Sequence, residues 1–130
     1  MRIIKLLFVL SFFYLNITFA QEVEHNYLVG PQVTNCDSLD ITGLSLHESI
    51  EKIRASKFRF DQSFKLTRKQ GLQSGEYYSC DNERGYLVIT FDGIESLYVN
   101  IEKDTWNDLI SSSDPEGLYF KMKKKHEYEH

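Results

Sequence analysis

The side chains able to do chemistry here are four histidines, two cysteines, a few acid pairs and one run of lysines. His47 could share a ligand only with a helical neighbour three or four residues away, and Glu51 alone qualifies. One histidine and one glutamate fall short of the three or four protein ligands of a zinc site, so His47 reads as a solvated helix residue. His126 and His130 have chelating spacing, with Glu127 and Glu129 between them, but they end the chain, where fraying competes. Asp104 and Asp108 share a helix face, and Asp104 is better explained as a helix cap than as half of an acid–base pair. No glycine-framed serine appears; Ser111-Ser112-Ser113 reads as a helix-ending loop. A glycine-rich phosphate loop is absent too. No catalytic residue, metal ligand or cofactor is therefore expected, and a small secreted hydrolase stands only as an alternative.

The cysteines depend on compartment. Arg2 and Lys5 precede an apolar stretch from Leu6 to Leu15, and Thr18-Phe19-Ala20 supplies small residues at the cleavage positions. That is the pattern of a secretory signal over residues 1–20. The stretch is too short for a spanning helix, which needs roughly 20 apolar residues, so no transmembrane segment is expected after cleavage. Cleavage after Ala20 leaves residues 21–130, with 13 basic against 19 acidic side chains and a formal charge of −6. Such a surface repels phosphate backbones, which disfavours nucleic acid as a partner. A secreted or periplasmic location makes Cys36–Cys80 the expected disulfide. Its loop of about 45 residues is worth roughly 4 kcal/mol in the chain-entropy model.

The lysines Lys121, Lys123, Lys124 and Lys125 are the one concentrated charge, interleaved with Tyr119, Phe120 and Met122. As a basic tail they would steer toward an acidic protein or an anionic envelope component. Tyr78 and Tyr98 are the other candidate partner-binding residues, because exposed tyrosines offer rigid contact area plus a hydroxyl.

The elements that must position these groups follow from periodicity. With 130 residues there is room for one domain, and 14% aromatic residues provide enough apolar area to fold it. Residues 21–39 read as an extended leader and residues 40–130 as a single domain. Ser45 and Glu48 form a capping box for a helix to Lys57, with Leu46, Ile50 and Ile53 on one face. From Phe58 to Thr67 the period becomes two, placing Phe58, Phe60, Phe64 and Leu66 on one sheet face, broken only by Gln62. Short strands follow at Glu76–Cys80 and Tyr86–Phe91. Asp92-Gly93 signals a type I′ hairpin into a strand carrying Leu97, Val99 and Ile101 on one side and Tyr98 and Asn100 on the other. Asp104 would cap a second helix bearing Trp106, Leu109 and Ile110, and Pro115 would follow its end. Leu118-Tyr119-Phe120 would be a final edge strand. The expectation is α+β: one antiparallel sheet of about four to five strands with two helices packed on one face. The opposite face would be left to Tyr78 and Tyr98.

Two resemblances bear on function. Val88-x-x-Phe91-x-Gly93, Leu97-Tyr98-Val99, Ile101, Trp106-x-x-Leu109-Ile110, Gly117-x-Tyr119-Phe120 and Tyr128 resemble the KTSC domain. That short module closes some lysyl-tRNA synthetases and also occurs free-standing in bacteria; the resemblance implies a small module for which RNA binding has been suggested. Asn100 stands where that family carries a second tyrosine. Tyr78-Ser79-Cys80-Asp81-Asn82 and Leu87-Val88-Ile89-Thr90-Phe91 are similar to the opening of periplasmic inhibitors of C-type lysozyme. Ser113 to Tyr119 is similar to their inhibitory loop, with Glu116 in place of its serine. The expected function is a small exported binding or structural module without catalysis; the alternative from this second resemblance is inhibition of a lysozyme-like enzyme.

Overall fold

The first helix begins where the capping chemistry places it. The computed structural model describes residues 34–127, with side chains as far as His126. Helix α1 is Leu46–Ala55. The Ser45 amide donates to Glu48 Oε2 at 2.9 Å and the Glu48 amide donates to Ser45 Oγ at 3.3 Å, which closes the box. Ile50 and Ile53 are buried, as the spacing predicts, but Leu46 is 52% exposed and Ser49 takes the buried position beside Ile50. Four strands follow: β1 Phe60–Lys65, β2 Leu72–Ser79, β3 Arg84–Phe91 and β4 Ile94–Glu102. They form one antiparallel meander in the order β1-β2-β3-β4. Helices α2 (Lys103–Ser111) and α3 (Pro115–Glu127) complete the described residues. The class is α+β, as expected.

Each connection has a local cause. Asp92 and Gly93 both take positive φ (49° and 78°), the type I′ geometry whose twist matches the flanking strands. The β1–β2 loop is clasped to this turn, for the Gly71 amide donates to Asp92 Oδ1 and the Asp92 amide to the Gly71 carbonyl. In the β2–β3 loop, Asp81 Oδ1 accepts from the amides of Glu83 and Arg84. These amides, Arg84 first, hold its carboxyl below the usual aspartate value.

Directly paired strand residues share a sheet face. Gln62, Tyr77, Leu87 and Tyr98 are one such row, while Tyr78 pairs with Asp61 and Tyr86 on the other face. Helices α2 and α3 cover the first face. There Trp106 stacks on Tyr77 and Phe64 with ring centroids 5.5 and 5.7 Å apart, among Leu72, Leu87, Ile89, Ile101, Leu109, Tyr119 and Met122. Gln62, the polar break in the β1 pattern, accepts a hydrogen bond from the buried Trp106 Nε1 at 2.8 Å. Helix α1 lies on the other face, its Arg54 joined to Glu76 and Glu95. Two helices thus do share one face, but they are α2 and α3.

Several expectations are corrected. Leu118-Tyr119-Phe120 is helical, not an edge strand. Asp114 Oδ1 accepts from the Gly117 amide at 3.0 Å, so Pro115 opens α3 as its first residue instead of only closing the helix before it. The lysine run is therefore the end of a helix and not an extended tail. Asp104 caps nothing: α2 starts at Lys103, and Asp104 sits exposed in its first turn, where its charge suits the helix dipole. Phe58 precedes β1 and turns to the α1 face, against Tyr78 (5.3 Å) and Tyr86 (6.0 Å). A β-bulge breaks the alternation of β4, because two steps of β3 from Gly85 to Leu87 match three of β4 from Ile101 back to Tyr98. Asn100 takes φ 59° there. Ile101 consequently joins Tyr98 on the core face and is 1% exposed, while Val99 is 50% exposed.

The leader is described only from residue 34. Asn35 bridges Lys57, the Cys36 amide donates to the Lys57 carbonyl at 3.1 Å, and Cys36 is bonded to Cys80 at the end of β2. The expected signal over residues 1–20, the leader to residue 33, and His25, Tyr128 and His130 lie outside the described residues.

Candidate partner-binding groove at the β4 edge

The candidate site is built from β4, the last strand of the meander. No strand among the described residues lies outside it. A two-residue turn makes its flanking residues, Phe91 and Ile94, exchange hydrogen bonds, and the antiparallel ladder then alternates. The backbone N–H and C=O of Glu95 and Leu97 therefore point away from β3. The bulge at Asn100 ends this regular stretch, so the template runs over Ile94–Tyr98.

Side chains wall a groove of about 650 Å³ along this edge. Leu44 and Leu46, just before and at the start of α1, stand on one side with Leu97 and Val99. Lys125 and His126 of α3 and Thr105 of α2 stand on the other, over Tyr98. Tyr98 is half-buried, its hydroxyl 3.1 Å from that of Tyr119 and its ring 6.4 Å from that of His126. At the bulge end, Arg84 reaches Glu102 at 3.9 Å and Asn100 Oδ1 at 3.4 Å. Lys125 forms no ion pair among the described residues.

The structure separates most of the residues singled out from the sequence. Tyr98 and Lys125 both line the groove. Tyr78 lies on the opposite face, where its hydroxyl donates to Glu76 Oε2 at 2.6 Å. Burial, and then that carboxylate, push the Tyr78 hydroxyl well above the usual tyrosine value. Arg54 binds Glu76 through two nitrogens (2.9 and 2.6 Å) and Glu95 through one (2.6 Å). This holds the Glu76 carboxyl below its ordinary range and raises the Arg54 guanidinium. Around α3, Lys121, Lys124 and Lys125 share one side while Lys123 is turned toward the other and half-buried. The four lysines do not make one patch. Leu44, Leu46, Leu97 and Val99 escaped the sequence reading as site residues, since nothing local marks an edge strand that ends a sheet.

Other candidate chemistry stays dispersed. His47 is exposed, and Glu51 is turned to Arg54 at 3.7 Å. Asp104 and Asp108 are exposed, and Ser111 Oγ donates to the Asn107 carbonyl. Among the described residues the one group within metal-binding reach is Cys36, Asp37 and Cys80, and its two sulfurs are bonded to each other. No described helix is long and apolar enough to cross a membrane, a statement that leaves a β-barrel aside.

Fold and site together define a small, disulfide-tied α+β meander with a groove along its β4 edge. No family model, curated protein or solved structure matches the chain.

Proposed function

We propose that the chain is an exported binding module that acts without catalysis, taking an extended segment of a partner protein against the edge of β4. The observation that carries this is the outward N–H and C=O of Glu95 and Leu97 in a groove with side-chain walls. An added strand gains affinity from main-chain hydrogen bonds and specificity from the flanking side chains. Export is supported by the signal-like segment and by the Cys36–Cys80 bond, which suits an oxidising compartment. The lysozyme-inhibitor reading would present Ser113 to Tyr119, but this segment opens α3 and Tyr119 is only 3% exposed. The β4 edge is the better-supported surface.

The test is capture from the exported fraction with residues 21–130 as bait, alongside Leu97→Pro. That change removes an outward N–H and leaves the β3 ladder untouched. Val99→Arg, at an exposed position, blocks the apolar wall should Leu97→Pro fail to fold. Both variants are expected to lose the partner that the unaltered chain retains. Equal retention by a folded variant refutes the edge reading. The exported protein should have the intact mass of residues 21–130 less two hydrogens, and a retained signal would refute export with cleavage.

A further inference from the structure

We infer that the β4 groove selects a strand that sets an acidic side chain beside Tyr98 and Lys125, with aliphatic neighbours on either side of it facing Leu97 and Val99. This rests on the edge reading above and adds the chemistry of the partner. Successive side chains of an added strand turn to opposite sheet faces. Those on the α1 side meet Leu97 and Val99, with Leu44 and Leu46 beyond them. That wall is aliphatic and open to water, so it rewards aliphatic side chains.

The other wall asks for charge. The side chain opposite Tyr98 lies beneath the last turn of α3, where Lys125 is exposed and makes no ion pair among the described residues. Glu102, the acid lining the same groove, already faces Arg84 at 3.9 Å. Asp108 lies with Lys121 and Lys125 around a smaller cavity of about 220 Å³ between α2 and α3, two cations to one acid. An incoming carboxylate is thus attracted, and an incoming ammonium is repelled. At the hairpin end Ile94, 69% exposed, makes the same face apolar, so the acidic preference is confined to the Tyr98 position. A second copy of β4 paired antiparallel about Leu97 would bring Ser96 to that position, which carries no charge.

Three short capped, fluorescein-labelled peptides test this by anisotropy against residues 21–130: aliphatic residues flanking a central glutamate, and the same peptide with glutamine or with lysine. The glutamate peptide is expected to bind about three- to tenfold tighter than the glutamine peptide, and the lysine peptide weakest. Added salt should shrink these differences, and Lys125→Glu, at an exposed position, should reverse the order. Equal binding of all three peptides, still lost in Leu97→Pro, overturns the acidic preference and leaves the edge reading standing. Absence of binding by any peptide, or binding undiminished in folded Leu97→Pro and Val99→Arg, overturns both. A concentration-dependent dimer in sedimentation that Leu97→Pro dissolves would make a second copy the occupant, and would also overturn the inference.

Discussion

Under α2 and α3, Trp106 lies between Tyr77 and Phe64 in a layer of rings and aliphatic side chains; under α1, Ile50 and Ile53 are buried beside an ion cluster of Arg54, Glu76, Glu95 and Tyr78. The first face is closed by area. Its strength is spread over many dispersion contacts. The second is closed at one end of α1 by directional, charge-assisted bonds. Because Arg54 anchors the C-terminal end of α1, the other end needs no apolar cover, and Leu44 and Leu46 remain in water as a wall of the groove. How a helix is fastened here decides which of its residues are left for binding.

The largest effect should come from the aromatic face. Trp106→Ala is expected to cost about 3–5 kcal/mol, because it removes the central ring and takes from Gln62 Oε1 the nearer of its two donors, leaving Lys103 Nζ at 3.2 Å. Urea unfolding followed by tyrosine fluorescence measures it, and a loss below about 1 kcal/mol would break the comparison.

Next comes the ion cluster. Arg54→Met should cost about 1–2 kcal/mol, discounted because its side chain is 29% exposed. The cluster also makes stability depend on pH. Arg54 depresses the Glu76 carboxyl from its ordinary 4.5, so its contribution is complete above that value and is lost as pH falls through the depressed one. Tyr78 and Tyr77 are raised from 10.0, chiefly by burial, so their contribution is complete below pH 10 and is lost as pH rises through the raised values. Denaturation at a series of pH values should show both limbs. Arg54→Met should flatten the acid limb, while the alkaline limb persists through Tyr77. An unchanged acid limb in that variant would show that Glu76 is not held by Arg54.

The smallest effects separate two aspartates near helix starts. Asp114→Ala should cost about 1 kcal/mol, because its carboxylate accepts the Gly117 amide. Asp104→Ala should cost about 0.5 kcal/mol or less, since it contributes only a screened charge to the first turn of α2. Thermal unfolding of the pair decides, and equal losses would show that Asp104 caps after all.

The sequence by itself determined what depends on neighbours along the chain. Ser45 and Glu48 start α1, Asp92-Gly93 makes the I′ turn, and two lone cysteines in a chain with an export signature pair with each other. The α+β class followed from the same local periods. Asp114-Pro115 carried an equally local signal for α3, although a proline is as easily read as the end of one helix as the start of another. Which face each tyrosine takes was a different kind of question. Side-chain parity in a strand survives only while the register is unbroken, and one extra residue at Asn100 reverses it. That bulge sent Ile101 into the core and left Val99 outside. The choice of α1 for one face, and of α2 and α3 for the other, likewise came from where Arg54 and Trp106 find partners more than 20 residues away. The open β4 edge is therefore a product of tertiary structure alone: an edge is defined by the strand that does not come next, and no residue within it records that.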